Sequence, residues 1–430
     1  MVLKSRVVSG GAALAIGQIL SAGCSFLRNL IIARALSVED FGIISTFAIT
    51  LAMIEMIGQI GVDSLIVQYR GTSLNKVIAN AHAAMIVRGL ALSIILYMLA
   101  GPISNAFGLM HLQWAFELLA ICPLFRGSVN LDFAFQRRSM RFGSSIVNEL
   151  VPQLLGTVVL IIIVLFKQDF SAVLFVLLFI PLATAVVSHT NSSLNYALSF
   201  DFKFQVLIYR FGWPIMIGGA LLFLVFQGDR LIIGTYFGMK DLGYFSAVFT
   251  LLMLPTLVVQ RVLSMVSLPI LSEAFSGEES KKRVVRLVIL ASVCASLGIT
   301  VGVGLLGDYL FIVVFGEKFL PALAFMPYIL LAFSIRVLRC APSSIAIANG
   351  DTKTQMHTNF IRVCAVLISL SVAAIGGDIY SILICAIAGE LAATIYAYYT
   401  TKESWTEFFT ITQVAMGAAT FSTITALGVL

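Results

Sequence analysis

Apolar stretches of membrane-spanning length recur along the whole chain, separated by short polar connections. A helix needs about 20 apolar residues to cross the hydrocarbon core of a bilayer. Backbone groups in hydrocarbon need partners within their own segment, so we predict an all-α polytopic membrane protein of about 12–14 transmembrane helices. The predicted spans are 10–35, 41–63, 75–100, 112–133, 143–166, 170–197, 209–237, 243–269, 284–307, 320–346, 354–376, 378–400 and 408–430.

A helix-turn-helix segment near the start of the chain has a second copy about half a chain length later. Residues 29–45 align without a gap with residues 230–246. The identical pairs are Leu30/Leu231, Ile31/Ile232, Ile32/Ile233, Asp40/Asp241, Gly42/Gly243 and Ser45/Ser246. Six predicted spans precede the second copy, so both copies enter the membrane in the same direction. This predicts two parallel six-helix lobes around a central cavity, a pattern typical of transporters.

The pattern sets the predicted domain boundaries. The N-terminal lobe covers 1–200 and the C-terminal lobe covers 206–400. Residues 401–430 form a further hydrophobic helix outside both lobes.

Composition excludes a soluble domain. Hydrophobic residues make up 60% of the 430 positions and charged residues 11%, whereas soluble domains carry about 45–50% and roughly 25%. The six cysteines all fall inside predicted spans and form no metal-binding pattern, so we interpret them as small apolar core residues.

The basic residues predict the orientation of the chain. Positively charged loops stay on the cytoplasmic side, so we expect a cytoplasmic N-terminus in an inner membrane. The net charge of +6 then reflects topology and requires no nucleic-acid partner. The predicted inner positions are Lys4, Arg6, Arg70, Lys76, Arg137, Arg138, Arg141, Lys203, Arg210, Lys281, Lys282, Arg283, Arg286, Lys353 and Lys402. The predicted outer positions are Arg34, Lys167, Lys240 and Lys318.

Charged side chains inside the spans are the candidate functional residues. An ionised side chain at mid-membrane costs at least about 2.5–3.5 kcal/mol, so it usually faces a bundle interior or water. Arginine suits pyrophosphate because its planar fork gives paired, charge-assisted hydrogen bonds. The candidates for substrate binding are Arg28, Arg88, Arg126, Arg230, Arg261, Arg336 and Arg339. The candidates for coupling to a proton or sodium ion are Glu55, Glu149, Asp229 and Glu390.

The alternative is that these arginines and acids pair with each other across helices. Arg336 and Arg339 are three residues apart and therefore share a helix face. The sequence carries no glycine-rich phosphate loop, HExxH or GxSxG motif, so we expect neither an enzyme nor a bound cofactor or metal.

Four short motifs resemble the polysaccharide-transporter branch of the MOP exporter superfamily, the Wzx-type flippases of lipid-linked oligosaccharides. They are Ile31–Gly42, Gly58–Asp63, Phe315–Ala322 and Ala348–Lys353. The resemblance runs to about residue 400. Many relatives have fourteen spans, so it leaves the place of the last segment open.

The resemblance implies a V-shaped pair of six-helix lobes that alternates between inward-open and outward-open states. It implies an undecaprenyl-pyrophosphate-linked glycan as cargo, an ion gradient as the driving force, and membrane lipids, a polysaccharide polymerase and chain-length proteins as partners. Arg28 and Arg261 are the nearest equivalents by position to cavity-facing arginines of the related lipid II flippases.

Three other functions stay open at this point. A cation-coupled multidrug exporter of the same superfamily would favour acidic sites, whereas the second lobe is rich in arginine. A polysaccharide polymerase usually carries a large outer loop, and no predicted outer connection is long. A membrane scaffold would need neither the repeat nor the charges inside the spans.

Overall fold

The structure is a computed structural model that describes residues 2–274 and 278–401, with the side chains of 17–274 and 281–401. Every regular element in these residues is a helix, which confirms the all-α prediction. The predicted additional helix at 401–430 lies outside the described residues except for its first position.

Across the described stretches, sixteen α-helices follow one another with short connections. They are α1 Val2–Ala35, α2 Val38–Ile57, α3 Val62–Gln68, α4 Leu74–Ala106, α5 Gln113–Leu119, α6 Cys122–Gly127, α7 Asp132–Arg138, α8 Gly143–Val164, α9 Phe170–Thr190, α10 Phe202–Tyr236, α11 Met239–Ala274, α12 Glu278–Phe315, α13 Met326–Leu338, α14 Cys340–Ala348, α15 Lys353–Ala374 and α16 Ile379–Thr400. Two 3₁₀ segments, Met110–Leu112 and Glu317–Phe325, precede α5 and α13.

The long helices match the predicted spans. Within the described ranges, ten helical segments are long and apolar enough to cross a membrane, and an eleventh forms if one bent pair is counted as a single span. That pair, Met110–Gly127 with Asp132–Arg138, bends by 44° and corresponds to the predicted span 112–133. The predicted first span, 10–35, lies within α1.

The chain divides into two compact units. The first runs up to Ala247 and includes Val314–Leu320, and the second comprises Val248–Val313 and the chain from Pro321 onward. In the first unit α1 packs on α8, α8 on α9 and α2 on α10, while in the second α16 packs on both α13 and α15. The predicted lobe boundaries, 1–200 and 206–400, stay a prediction.

Each unit has its own buried apolar cluster. In the first, α3, α4, α7 and α10 contribute Ile66, Ala81, Ala134 and Ile208. In the second, Leu271, Ile289, Ile345 and Tyr398 come from α11, α12, α14 and α16.

The two copies of the repeat pack against each other inside the first unit. A β-carbon on Gly42 would overlap the carbonyl oxygen of Met239, and a β-carbon on Gly243 would overlap that of Val38. Gly42 lies four residues after Val38, and Gly243 lies four residues after Met239. Each glycine therefore packs on the backbone one helical turn before the other glycine, and the contact is reciprocal. The shared glycine of the repeat is therefore required for the close approach of α2 and α11.

Two adjacent glycines on α10 provide a test of the packing between α10 and α2. A β-carbon on Gly219 would overlap the carbonyl oxygen of Met56, whereas one on Gly218 would meet no heavy atom within 4 Å. Overpacking costs typically about 1–3 kcal/mol, so we expect Gly219→Ala to lower the melting temperature in detergent. Gly218→Ala is the matched control and should leave it unchanged or raise it, because alanine is the better helix former. Equal melting temperatures of the two variants would contradict the close contact between Gly219 and α2.

Candidate functional site

Arg28 on α1 is held entirely by neutral acceptors of its own helix and of α8. Its guanidinium donates to Gln153 Oε1 at 2.6 Å, to the Gln153 carbonyl at 3.1 Å and to Thr157 Oγ1 at 3.4 Å. A further bond reaches Ser25 Oγ at 3.0 Å. Within the described residues no carboxylate forms an ion pair with it. Arg28 is only partly buried, so its positive charge is fixed in place without being neutralised.

A second group of charges lies between α2, α4 and α6. Arg126 Nη2 lies 2.8 Å from Glu55 Oε1. Arg88 Nη1 donates to the carbonyl oxygen of Gly58 at 3.2 Å. Glu55, Arg88 and Arg126 line one cavity together with Leu51, Ile54, Leu92, Cys122 and Pro123. The structure thus brings together two predicted substrate-binding residues and one predicted coupling residue.

The third group is a buried cluster in the second unit, centred on Glu390 of α16. Arg336 Nη2 and Arg339 Nη1 each lie 2.6 Å from a Glu390 carboxylate oxygen, and Arg362 Nη2 lies 2.7 Å from Oε1. The Glu390 side chain is only 6% exposed. The cluster fastens α13, α15 and α16 to one another, and it realises the pairing across helices that the sequence left as an alternative.

Arg362 is absent from the candidates predicted by sequence, although it lies inside the predicted span 354–376. Its position in an apolar stretch was the available signal, the same one that singled out the other arginines. Its contact with Glu390, 28 residues away on the next helix, has no sequence signature.

The remaining candidates lie on α8, α10 and α11. Arg230 on α10 donates to Ser246 Oγ at 3.2 Å and to Gln227 Oε1 at 3.0 Å, within the repeat region. Asp229 and Glu149 are half-buried on α10 and α8, and Arg261 is exposed on α11. No group of three His, Cys, Asp or Glu side chains that could hold a metal ion occurs in 17–274 or 281–401.

Three of the four motifs that carry the family resemblance form turns and helix caps. Ser37 Oγ accepts from the backbone of Asp40 at 3.0 Å and begins α2. Arg34 Nε donates to the Val314 carbonyl at 3.2 Å, and Lys318 Nζ donates to the Arg34 carbonyl at 3.0 Å. These basic side chains satisfy carbonyl groups that helix ends leave unpaired. The Phe315–Ala322 segment is thereby tied to the turn between α1 and α2.

The third of these motifs, Ala348–Lys353, contains the cap of α15. Thr354 Oγ1 donates to Asp351 Oδ2 at 2.6 Å. This bond, together with backbone donors from the first turn of the helix, holds the pKa of Asp351 below its usual value. Gly350 adopts a φ of +76° at this turn, which favours glycine.

Similarity to known proteins extends over most of the chain. Residues 31–324 match a family model described as polysaccharide biosynthesis protein. The succinoglycan biosynthesis transport protein ExoT of Rhizobium meliloti is 23% identical over 370 residues, which cover 80% of this chain and 74% of that protein.

Solved structures share the fold. The lipid II flippase MurJ in an inward closed conformation superimposes with a TM-score of 0.73 at 13% identity, covering 94% of this chain and 93% of that one. An inward-facing multidrug resistance MATE transporter of the MOP superfamily gives a TM-score of 0.67 at 12% identity, covering 90% and 94%. At these identities the likeness concerns the fold, which is used by a flippase and by drug transporters.

Proposed function

The chain belongs to the polysaccharide biosynthesis protein family, and from this premise we propose that it is a flippase for undecaprenyl-pyrophosphate-linked oligosaccharides. It moves its cargo from the cytoplasmic to the periplasmic leaflet of a bacterial inner membrane by alternating access, with its N-terminus in the cytoplasm. No covalent step is required. The translocated glycan then becomes available to a polymerase and chain-length proteins.

The relatives support this class of cargo. ExoT is a transport protein of succinoglycan biosynthesis, and MurJ is a flippase whose named cargo is lipid II. The fold alone does not separate such a flippase from a multidrug exporter, because MATE transporters share it.

The charge at Arg28 is the observation that carries the proposal. A guanidinium among neutral acceptors keeps its full positive charge, which attracts an anion and repels a cation. Its planar donor array suits the oxygens of a pyrophosphate. A drug exporter with cationic cargo would gain nothing from this residue, whereas a pyrophosphate-linked cargo would.

Coupling to an ion gradient forms part of the proposal, with Glu149 as the residue that takes up the ion. Glu55 and Glu390 are each bound to arginine, whereas Glu149 has no ion pair in the part of the chain that the structure describes. We expect an imposed proton or sodium gradient to accelerate transport in vesicles containing the wild-type protein, but not in vesicles containing Glu149→Gln. Equal acceleration in both would assign coupling to another residue.

Deletion and complementation of the gene, with extraction of the undecaprenyl-linked glycans, tests the proposed function. We expect complete lipid-linked repeat units to accumulate on the cytoplasmic side of the deletion strain, and the wild-type gene to relieve this. Single repeats that reach the outer leaflet unpolymerised would instead indicate a polymerase. Unchanged glycans, with tolerance to cationic dyes that depends on the gene, would indicate a drug exporter.

A further inference from the structure

Two Arg-Gly dipeptides meet where α4 crosses α6. A β-carbon on Gly89 would lie 2.6 Å from the carbonyl oxygen of Pro123, and one on Gly127 would lie 2.7 Å from that of Met85. The same β-carbons would lie 3.1 Å and 3.2 Å from the α-carbon of the opposite glycine. The two backbones therefore touch, as small residues permit in membrane helices. The preceding residues, Arg88 and Arg126, consequently line the same cavity.

The charges around this cavity are unequal. Two guanidinium groups face a single carboxylate, Glu55, whose ion pair within the described residues is with Arg126. Arg88 has a carbonyl partner for Nη1, while its Nε is buried and has no hydrogen-bond partner among the described residues. The cavity therefore carries one net positive charge, and Arg88 has a donor whose hydrogen-bonding capacity is unused.

The cavity composition favours an anion with several oxygens. Its other lining side chains are apolar, and charge interactions strengthen where water is scarce. The side chains of Arg126 and Glu55 are 44% and 34% exposed, so this ion pair is accessible. A phosphate oxyanion could accept from both arginines at once, which Glu55 does not do here.

We propose that Arg88 and Arg126 form a phosphate-binding site in which Glu55 is an internal counter-ion that the phosphate displaces from Arg126. In the empty site Glu55 lowers the cost of keeping two arginines in the membrane. When a phosphate enters, Arg126 exchanges one anion for another and the Arg88 guanidinium gains an anionic partner. The identification of this phosphate with the cargo rests on the proposed function, whereas the site itself does not.

Binding of inorganic pyrophosphate to the full chain in phosphatidylcholine nanodiscs, measured by calorimetry, tests the exchange. Glu55→Gln removes the competing carboxylate and should tighten pyrophosphate binding about tenfold. Arg88→Gln should weaken pyrophosphate binding about tenfold. Both changes are on the scale of one charge-assisted hydrogen bond. Glu39→Gln, on the same helix as Glu55, and Arg141→Gln are matched controls at exposed positions and should bind like the wild type.

Whether Glu55→Gln raises or lowers the affinity for pyrophosphate decides the inference. If Glu55 merely positioned Arg126, Glu55→Gln would weaken binding, and this result would overturn the exchange. Unchanged affinity in both Glu55→Gln and Arg88→Gln would overturn the site. Should Glu55→Gln fail to fold, Glu55→Asp keeps the charge but shortens its reach. The exchange then predicts a smaller rise in affinity, and a fall would contradict it.

Competition identifies the source of the phosphate. If farnesyl pyrophosphate displaces pyrophosphate and phosphatidylglycerol in the nanodisc does not, the site takes the pyrophosphate of a polyprenyl-linked cargo. If phosphatidylglycerol competes in the wild type but not in Arg88→Gln, the site takes a phospholipid headgroup. Both results support the oxyanion site. Intact glycan transport in the Arg88 variant without pyrophosphate binding would overturn the identification of this phosphate with the cargo and leave the proposed function standing.

Discussion

Replacing Glu390 with glutamine is expected to destabilise the protein by about 3–5 kcal/mol, the usual cost of removing one partner from a buried ion pair. The variant leaves three guanidinium groups close together inside the second unit, with a neutral amide in place of their shared carboxylate. Their mutual repulsion is weakly screened there because the side chains are almost fully buried. Loss of monodisperse protein on heating in detergent measures the effect.

A double variant separates charge from packing. Glu390→Gln combined with Arg339→Gln removes one of the three positive charges, so it should recover part of the stability lost in the single variant. If the single variant melts within about 2 °C of the wild type, which corresponds to about 2 kcal/mol for a chain of this size, the cluster does not hold α13, α15 and α16 together.

Replacing Arg28 with glutamine is expected to lower cargo transport at least about tenfold while leaving the fold intact. The partners of Arg28 among the described side chains are all neutral, so its removal leaves no unpaired carboxylate among them. Transport falls because the variant lacks the fixed positive charge that would attract the pyrophosphate, an interaction worth about 1.5–3 kcal/mol per charged hydrogen bond. Complementation of the deletion strain, normalised to the amount of protein in the membrane, provides the measurement.

The matched variant is Arg28→Lys. It retains the charge and loses the planar fork, so transport should lie between that of the wild type and that of Arg28→Gln. Normal transport by Arg28→Gln would remove Arg28 from the substrate-binding residues. A melting temperature that falls together with transport would assign it a structural role instead.

The membrane-spanning helices were predictable because a stretch of about 20 apolar residues has few alternatives to crossing a bilayer. The bend at residues 128–131 was not predicted, since hydropathy reports the length of a span and not its direction. The reciprocal glycine contact was equally hidden. The repeat shows that Gly42 and Gly243 are equivalent, but only the structure shows that each approaches the other copy.

The charge clusters illustrate what sequence reasoning could and could not supply. The apolar context of Arg336, Arg339 and Glu390 marked all three as functional or paired, and the three-residue spacing placed both arginines on one face. Their common contact depends on how α13 packs against α16. This packing cannot be read from the amino-acid sequence. The sequence marked Arg28 in the same way as the paired arginines. Only the structure shows that its surroundings are neutral and thereby distinguishes it from them.

Transport by the purified chain in sealed vesicles tests the central claim most directly. The vesicles carry an undecaprenyl-pyrophosphate-linked oligosaccharide in the inner leaflet only, and a membrane-impermeant glycosidase outside reports its arrival in the outer leaflet. The account predicts that the wild-type protein exposes the glycan to the enzyme and that Arg28→Gln does so far more slowly. Equal exposure in protein-free vesicles and in vesicles with the wild-type protein would contradict it.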